Sequence, residues 1–376
     1  DLAIIDRMID DGIDQGTDSR VSYLPLLSKP QTDTPEKAVL EPILLSSNPE
    51  HKSLGFVPTA SLSLTFDKTI AAGAQYSGIT LYNFTTERYV SLTKTIVGNT
   101  LTIKPGVALD GKTPYRLTVP VGAVKGNDGT ASKSAYTRLF YTRPQTGTEV
   151  GGIISENTTW VKSGAPYYVM GDITIQEGVT LTIEPGVSIE GLRGFDDDKD
   201  ELDYGQRQIT GRLIAQGNAG SRISMQNLRF TEGEYTIQYG DLKDVSVERW
   251  NTVLNLSDST MVGGSISLSD YYYSWDPGAD GDETLERNRF EDVTLYAYKD
   301  RVGTALTIRN NVFYRSKLTI EGDYSDTVTI KGNSFLDLDR VAVSSRWNLD
   351  ATGNFWGTTD LSIIDRMIDV GIDQGT

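Results

Sequence analysis

The chain has 376 residues, no cysteine, a single histidine (His51) and a formal net charge of −16 at pH 7. So acidic a surface repels nucleic-acid phosphates, and one histidine without cysteine removes histidine zinc cages, Ser-His-Asp triads and Cys-His dyads. Hydrophobic residues at 38% suit a folded chain with two cores, and no apolar run approaches the ~18 residues of a membrane span.

The chain starts at Asp1 with no apolar leader, so any targeting segment is expected to have been removed. Residues 1–17, Asp1 to Thr17, return as residues 360–376 with only two changes, Ala3 to Ser362 and Asp11 to Val370. Near-identity at a separation of 359 residues predicts a parent protein that repeats a unit of that length, of which this chain holds one period plus an overlap. Within the repeated segment, apolar residues at 2, 4, 5, 8, 9 and 13 have helical spacing. Asp1 or Asp360 is placed to cap the start, and Gly12 or Gly371 to stop it. So short a helix is unstable alone and is expected to be a lid on another core. Residues 1–27 are accordingly read as the cap and tail of a preceding repeat.

Residues 28–38 are a polar, proline-containing linker. Over 39–145 short alternating runs, among them Ser61 to Phe66, Ile79 to Tyr82, Thr100 to Ile103 and Tyr115 to Val119, are separated by glycine and proline, the pattern of an all-β sandwich. The runs Leu64-Thr65-Phe66-Asp67-Lys68, Tyr115-Arg116-Leu117-Thr118-Val119-Pro120 and Asn127-Asp128-Gly129, closed by Leu139-Phe140-Tyr141-Thr142, resemble the bacterial immunoglobulin-like domains of S-layer and other cell-surface proteins. The resemblance implies an extracellular spacer or adhesive module and no chemistry.

Residues 146–359 change character. Asn288-Arg289-Phe290, Asn311-Val312-Phe313 and Asn333-Ser334-Phe335 recur, with Asn354-Phe355-Trp356 as a variant, at steps of 23, 22 and 21 residues. That is the length of one coil of a right-handed parallel β-helix, whose rungs hide their backbone edges only by stacking. Asn288, Asn311, Asn333 and Asn354 are expected at a fixed turn, tolerating left-handed backbone and bonding along the stack. Phe290, Phe313, Phe335 and Trp356 are expected to fill the interior. Looser rungs precede them at Asp172 to Ile175, Val179 to Ile189, Arg212 to Ala215 and Arg222 to Met225. With Trp160, Pro166-Tyr167 and the ending Gly353-Asn354-Phe355-Trp356-Gly357, this region resembles bacterial surface β-helix proteins, which implies the architecture but no activity. Residues 360–376 would close it as a helical cap.

Two acidic loops interrupt the rungs. One carries Asp196, Asp197, Asp198 and Asp200; the other carries Asp276, Asp280, Asp282 and Glu283. Clustered carboxylates on flexible loops are candidate ligands for Ca²⁺, although neither loop has EF-hand spacing. Tyr271, Tyr272, Tyr273 and Trp275 are candidate stacking residues for a glycan, or core residues if strand alternation buries them. Asp244, Glu248, Arg249, Asp270, Glu291, Asp292, Asp300, Arg301 and Asp339 can share one face, as a polysaccharide lyase or hydrolase would require, but no pair forms a recognisable acid–base motif. The reading is a non-catalytic, all-β repeat unit of a bacterial surface protein, a stiff spacer or adhesin. Its partners are adjacent repeats, then surface glycans or neighbouring surface proteins; neither nucleic acid nor membrane insertion is expected. A carbohydrate-active or glycan-binding β-helix is the alternative.

Overall fold

The computed structural model describes residues 40–195, 202–203, 205–248, 252–269, 281–299, 304–322, 328–337, 341–345 and 349–369. The readings of residues 1–38, as cap, tail and linker, therefore lie outside the described residues.

Alternating apolar residues in the first half build two facing sheets. One has Leu44–Asn48, Leu62–Phe66, Thr100–Pro105 and Leu92–Val97 in that order, all antiparallel. The other has Ser53–Phe56, Tyr136–Thr142, Pro114–Val119, Thr80–Asn83 and Arg88–Val90, with Ser53–Phe56 joined in parallel. Every second residue of Leu62–Phe66 is buried, as the pleat dictates. Leu62, Leu64, Phe66, Leu81, Leu101, Ile103, Leu117 and Phe140 meet between the sheets as one apolar core. This is the Ig-like sandwich.

The second half is a right-handed parallel β-helix with a core of its own. One face is a sheet of eight parallel strands: Thr158–Trp160, Thr180–Ile183, Arg212–Gln216, Gly233–Gln238, Thr252–Ser257, Glu283–Glu286, Leu306–Arg309 and Val328–Lys331. The register aligns Trp160, Ile183, Ala215, Ile237, Leu256, Leu285, Ile308 and Ile330 in a column of inward side chains. A second column runs through Tyr167, Ile189, Met225, Leu242, Met261, Phe290, Phe313 and Phe335. A third runs through Phe230, Val247, Ile266, Leu295, Leu318, Val343 and Ile368. Antiparallel pairing enters this half in a short ribbon, Gly194–Phe195 with Leu202–Asp203, beside the first acidic loop, and in an isolated bridge between Asn218 and Ser221.

The stack is closed by a helix, Leu361–Met367, whose N-cap is Asp360. It ends four residues before the expected stop at Gly371, because Ile368–Asp369 turns extended and pairs in parallel with Val343–Ser345. The lid thus spends its last residues covering the bare edge of the final rung.

Candidate functional site: ladders along the stack and the domain junction

The Asn-x-Phe triplets form two ladders on adjacent parts of each coil. Asn288, Asn311 and Asn333 are buried, at 3%, 1% and 1% exposure. Each Oδ1 accepts from the backbone N–H at the same position one rung back: Asn288 from Ser259 at 2.9 Å, Asn311 from Asn288 at 2.8 Å, Asn333 from Asn311 at 2.9 Å and Asn354 from Asn333 at 2.8 Å. Each Nδ2 donates to a carbonyl of the preceding coil, those of Leu256, Leu285, Ile308 and Ile330. A side chain with one donor end and one acceptor end is needed for both bonds, which is why asparagine recurs. Two residues on, the rings stack at 5.0 Å for Phe290–Phe313, 4.9 Å for Phe313–Phe335 and 4.8 Å for Phe335–Trp356.

The expected left-handed backbone falls one residue earlier than the asparagines. Positive φ occurs at Asp258, Arg287, Asn310, Gly332 and Gly353, the residues just before Ser259, Asn288, Asn311, Asn333 and Asn354. Turning the chain at the preceding residue leaves the Asn side chain aimed into the stack. The ladder also extends one rung further than its motif, since Ser259 Oγ accepts from Gly240 N–H at 2.8 Å.

Outside the same turn runs a column of ion pairs. Arg287 holds Asp258 with Nε–Oδ1 at 2.7 Å and Nη2–Oδ2 at 2.8 Å, and Arg309 Nη2 meets Glu286 Oε2 at 2.9 Å. The Arg287 hydrogen bonds hold Asp258 below its usual pKa, and the Arg309 bond, with Arg287, does the same for Glu286. At another turn Arg315 grips Asp292 with Nε–Oδ1 at 2.7 Å, reaches Glu291 at 2.9 Å and lies 4.3 Å from the Tyr314 ring centre. Glu291 and Asp292, members of the candidate acid–base face, are thus engaged by Arg315, and Glu248 pairs with Arg229 at 3.3 Å. Asp244 is described and exposed; Arg249, Asp270, Asp300, Arg301 and Asp339 lie outside the described residues.

Of the candidate Ca²⁺ ligands, Asp196, Asp197, Asp198, Asp200, Asp276 and Asp280 lie outside the described residues, as do Tyr271, Tyr272, Tyr273 and Trp275. Asp282 Oδ1 accepts from Ala305 N–H at 2.8 Å. Glu283 is turned inward by strand alternation, two residues before the core Leu285, and at 3% exposure its Oε2 meets Lys299 Nζ at 2.7 Å. Its carboxylate answers a buried cation rather than opening onto the loop. Nothing in the sequence separated it from its acidic neighbours except that alternation. No group of three or more His, Asp or Glu suited to a metal was found among the described residues, and no described helix is long and apolar enough to cross a membrane.

The two domains meet at a small apolar cluster of Leu139, Tyr141 and Phe195, with Leu54 and Phe84 against it, and the Tyr141 and Phe195 rings lie 5.2 Å apart. Beside it Lys112 Nζ bonds Glu190 Oε2 at 2.7 Å, at the edge of a polar cleft of about 230 Å³ that Asn227, Lys243 and Asp244 also line. A larger cavity of about 450 Å³ lies at the mouth of the first coil, among Val150, Ile154, Trp160, Met170 and Ile173.

No curated protein matches the chain. A solved structure, the N-terminal part of the bacterial S-layer protein SbsC, aligns with 18% identity and a TM-score of 0.22 over 32% of this chain and 29% of that one, too loose a likeness to bear on the fold. The chain thus spans less than a third of that protein's length in the alignment. Residues 39–142 match the family model of the bacterial Ig-like domain, and that stretch contains the whole two-sheet sandwich from Leu44 to Thr142.

Proposed function

We propose that this chain is a repeat unit of a large extracellular bacterial surface protein, in which a β-helix serves as a stiff, non-catalytic spacer and the Ig-like domain sets its joint to the preceding unit. The observation that carries this reading is the unbroken stack: eight parallel strands in one register, with buried Asn side chains bonding coil to coil. Such a stack resists bending because each rung is fixed only by its neighbours. The match of residues 39–142 to the bacterial Ig-like family supports a surface setting, and the 359-residue repeat supports repetition along the parent chain. Ca²⁺ at the acidic loops around Asp198 and Asp280 belongs to the same proposal, as a clamp on the insertions between rungs.

Small-angle scattering on two consecutive repeats tests the reading. The expected maximum dimension is roughly twice that of one repeat, as for stacked solenoids with docked joints; a compact particle sinks the spacer. Melting with and without chelator is the second arm. A fall in Tm on chelation is expected, and an unchanged Tm removes the structural ion.

A further inference from the structure

The outer face of the five-stranded sheet of the sandwich carries a row of side chains that the core does not use. Strand register sets Leu139, Arg116, Tyr82 and Tyr89 side by side across four neighbouring strands. Alternation turns their chain neighbours Phe140, Leu117 and Leu81 into the core, so the row faces outward. At one end Leu139 is covered by the domain junction, with Phe84 packed beside it. At the other, Tyr89 lies on Arg88–Val90, the last strand of the sheet, and is 68% exposed.

Between these ends lies a cluster of rings around one cation. The Tyr82 ring centre is 5.3 Å from that of Phe84 and 5.2 Å from that of Tyr89, each pair edge to face. The Arg116 guanidinium lies 5.5 Å from the Tyr82 centre and 5.4 Å from the Phe84 centre. Buried Asn83 accepts from Thr85 and Thr86 N–H at 2.9 and 3.0 Å and donates to Tyr115 Oη at 3.1 Å, which fixes the turn that presents Phe84. The cluster is therefore formed before any ligand arrives.

Arg116 differs from the arginines of the rod. Along the β-helix Arg222, Arg287, Arg309 and Arg315 each grip a carboxylate of a neighbouring coil. Arg116 has neither a hydrogen bond nor an ion pair with any described residue, and its nitrogens are open to water. In a chain of net charge −16, a guanidinium held by two rings and left without a carboxylate points to an anion supplied from outside.

The platform is an open strip that runs to a sheet edge, whereas a small ligand is held in a closed pocket. Tyr89 offers a flat apolar face and Arg116 a planar fork matched to carboxylate, on one line. A peptide carboxylate fills the fork alone. A sugar ring that bears a carboxylate presents an apolar C–H face and the acid within one unit. We propose that this face of the Ig-like domain binds an acidic polysaccharide, a chain of uronate-bearing sugars, with a sugar ring stacked on Tyr89 and a carboxylate held by Arg116. The proposal stands apart from the spacer reading, and either can fail alone.

The full chain is titrated calorimetrically with an oligogalacturonate and with the same oligomer after reduction of its carboxyls. The expected result is saturable binding of the first and binding at least about tenfold weaker for the second. Arg116→Gln and Tyr89→Ala are each expected to weaken uronate binding about tenfold or more. Arg116→Lys keeps the charge without the fork and should fall between the parent and Arg116→Gln. Because Tyr89 is exposed, Tyr89→Ala should keep the parent Tm, so weakened binding there reports the site and not the fold. A parent chain that does not bind overturns the proposal, as does binding that survives both substitutions, which puts the glycan elsewhere. Equal binding of the reduced oligomer overturns it by removing the role of the carboxylate, and equal binding of inorganic polyphosphate by making the patch a general anion sink. Light scattering tests the other occupant: a parent dimer that Arg116→Gln and Tyr89→Ala dissociate makes this face an interface between copies and overturns the glycan site.

Discussion

Asn311 shows how much one side chain carries in a stack. Its Oδ1 takes the Asn288 N–H at 2.8 Å, its Nδ2 gives to the Leu285 carbonyl at 2.8 Å and to Asn333 Oδ1 at 3.0 Å, and the whole residue is 1% exposed. Asn311→Leu preserves size but strands a backbone donor and a backbone acceptor where water cannot reach them, so a loss of about 3 kcal/mol is expected in urea unfolding. Asn311→Ser should cost less, because Ser259 already performs the acceptor half of this role two rungs back. The pair Glu283–Lys299 obeys the same logic with charge. Lys299→Met removes the cation 2.7 Å from a buried carboxylate and should cost about 3–5 kcal/mol, while Glu283→Leu/Lys299→Met should recover most of that loss. If the double variant is as unstable as the single, the pair is not the reason Lys299 is buried.

The elements of the β-helix were legible to the degree that their physics demands one residue type. A hydrogen-bond ladder with both donor and acceptor needs asparagine on every rung, and an interior stack needs an aromatic, so the 21- to 23-residue steps stood out. Ser259 escaped notice because serine is common and lies 29 residues before Asn288. The left-handed turn escaped for a different reason: Asp258, Arg287, Asn310, Gly332 and Gly353 share a backbone conformation and no residue type. The inward strand position that claims Glu283 was visible in the alternation with Leu285, yet its charge drew the reading to the loop. The lid was legible as a helix, but its last residues answer to the edge they cover, which lies far off in sequence. The turn column makes a prediction at this scale. Asp258 and Glu286 are held below their ordinary values by Arg287 and Arg309. Groups depressed in the folded state give stability that is complete above the ordinary carboxylate value, about 4, and is lost as pH falls through the lowered one. The urea midpoint should therefore fall as pH drops from about 4 towards 3, and Arg287→Gln should flatten that fall while costing under about 1 kcal/mol at neutral pH, the worth of an exposed pair. A midpoint with the same acid slope in Arg287→Gln would remove the column from the account.

At the scale of the whole molecule, two cores of different origin are held as one piece by a small surface. The sandwich closes through contacts distant in sequence, such as Ser53–Phe56 with Tyr136–Thr142, whereas the β-helix grows by neighbouring coils. Solenoids of that kind have stability that sums over rungs and their interfaces, so nothing within the stack obliges it to unfold together with the sandwich. The coupling must come from the junction, where Leu139 and Tyr141 meet Phe195, and Lys112 meets Glu190. Tyr141 sits at 5% exposure against the Phe195 ring, so truncating it removes that ring contact between the domains. Lys112→Ala removes the 2.7 Å ion pair and the cation 5.0 Å from the Tyr168 ring centre, but its exposed setting makes the loss small. Calorimetry separates these contributions. The parent chain is expected to melt with the sandwich and the first coils in a single transition. Tyr141→Ala should split it in two, with the sandwich released first and the later coils unchanged, while Lys112→Ala should only broaden it. A single, uniformly shifted transition in Tyr141→Ala would mean that the apolar junction does not set the coupling between the two cores.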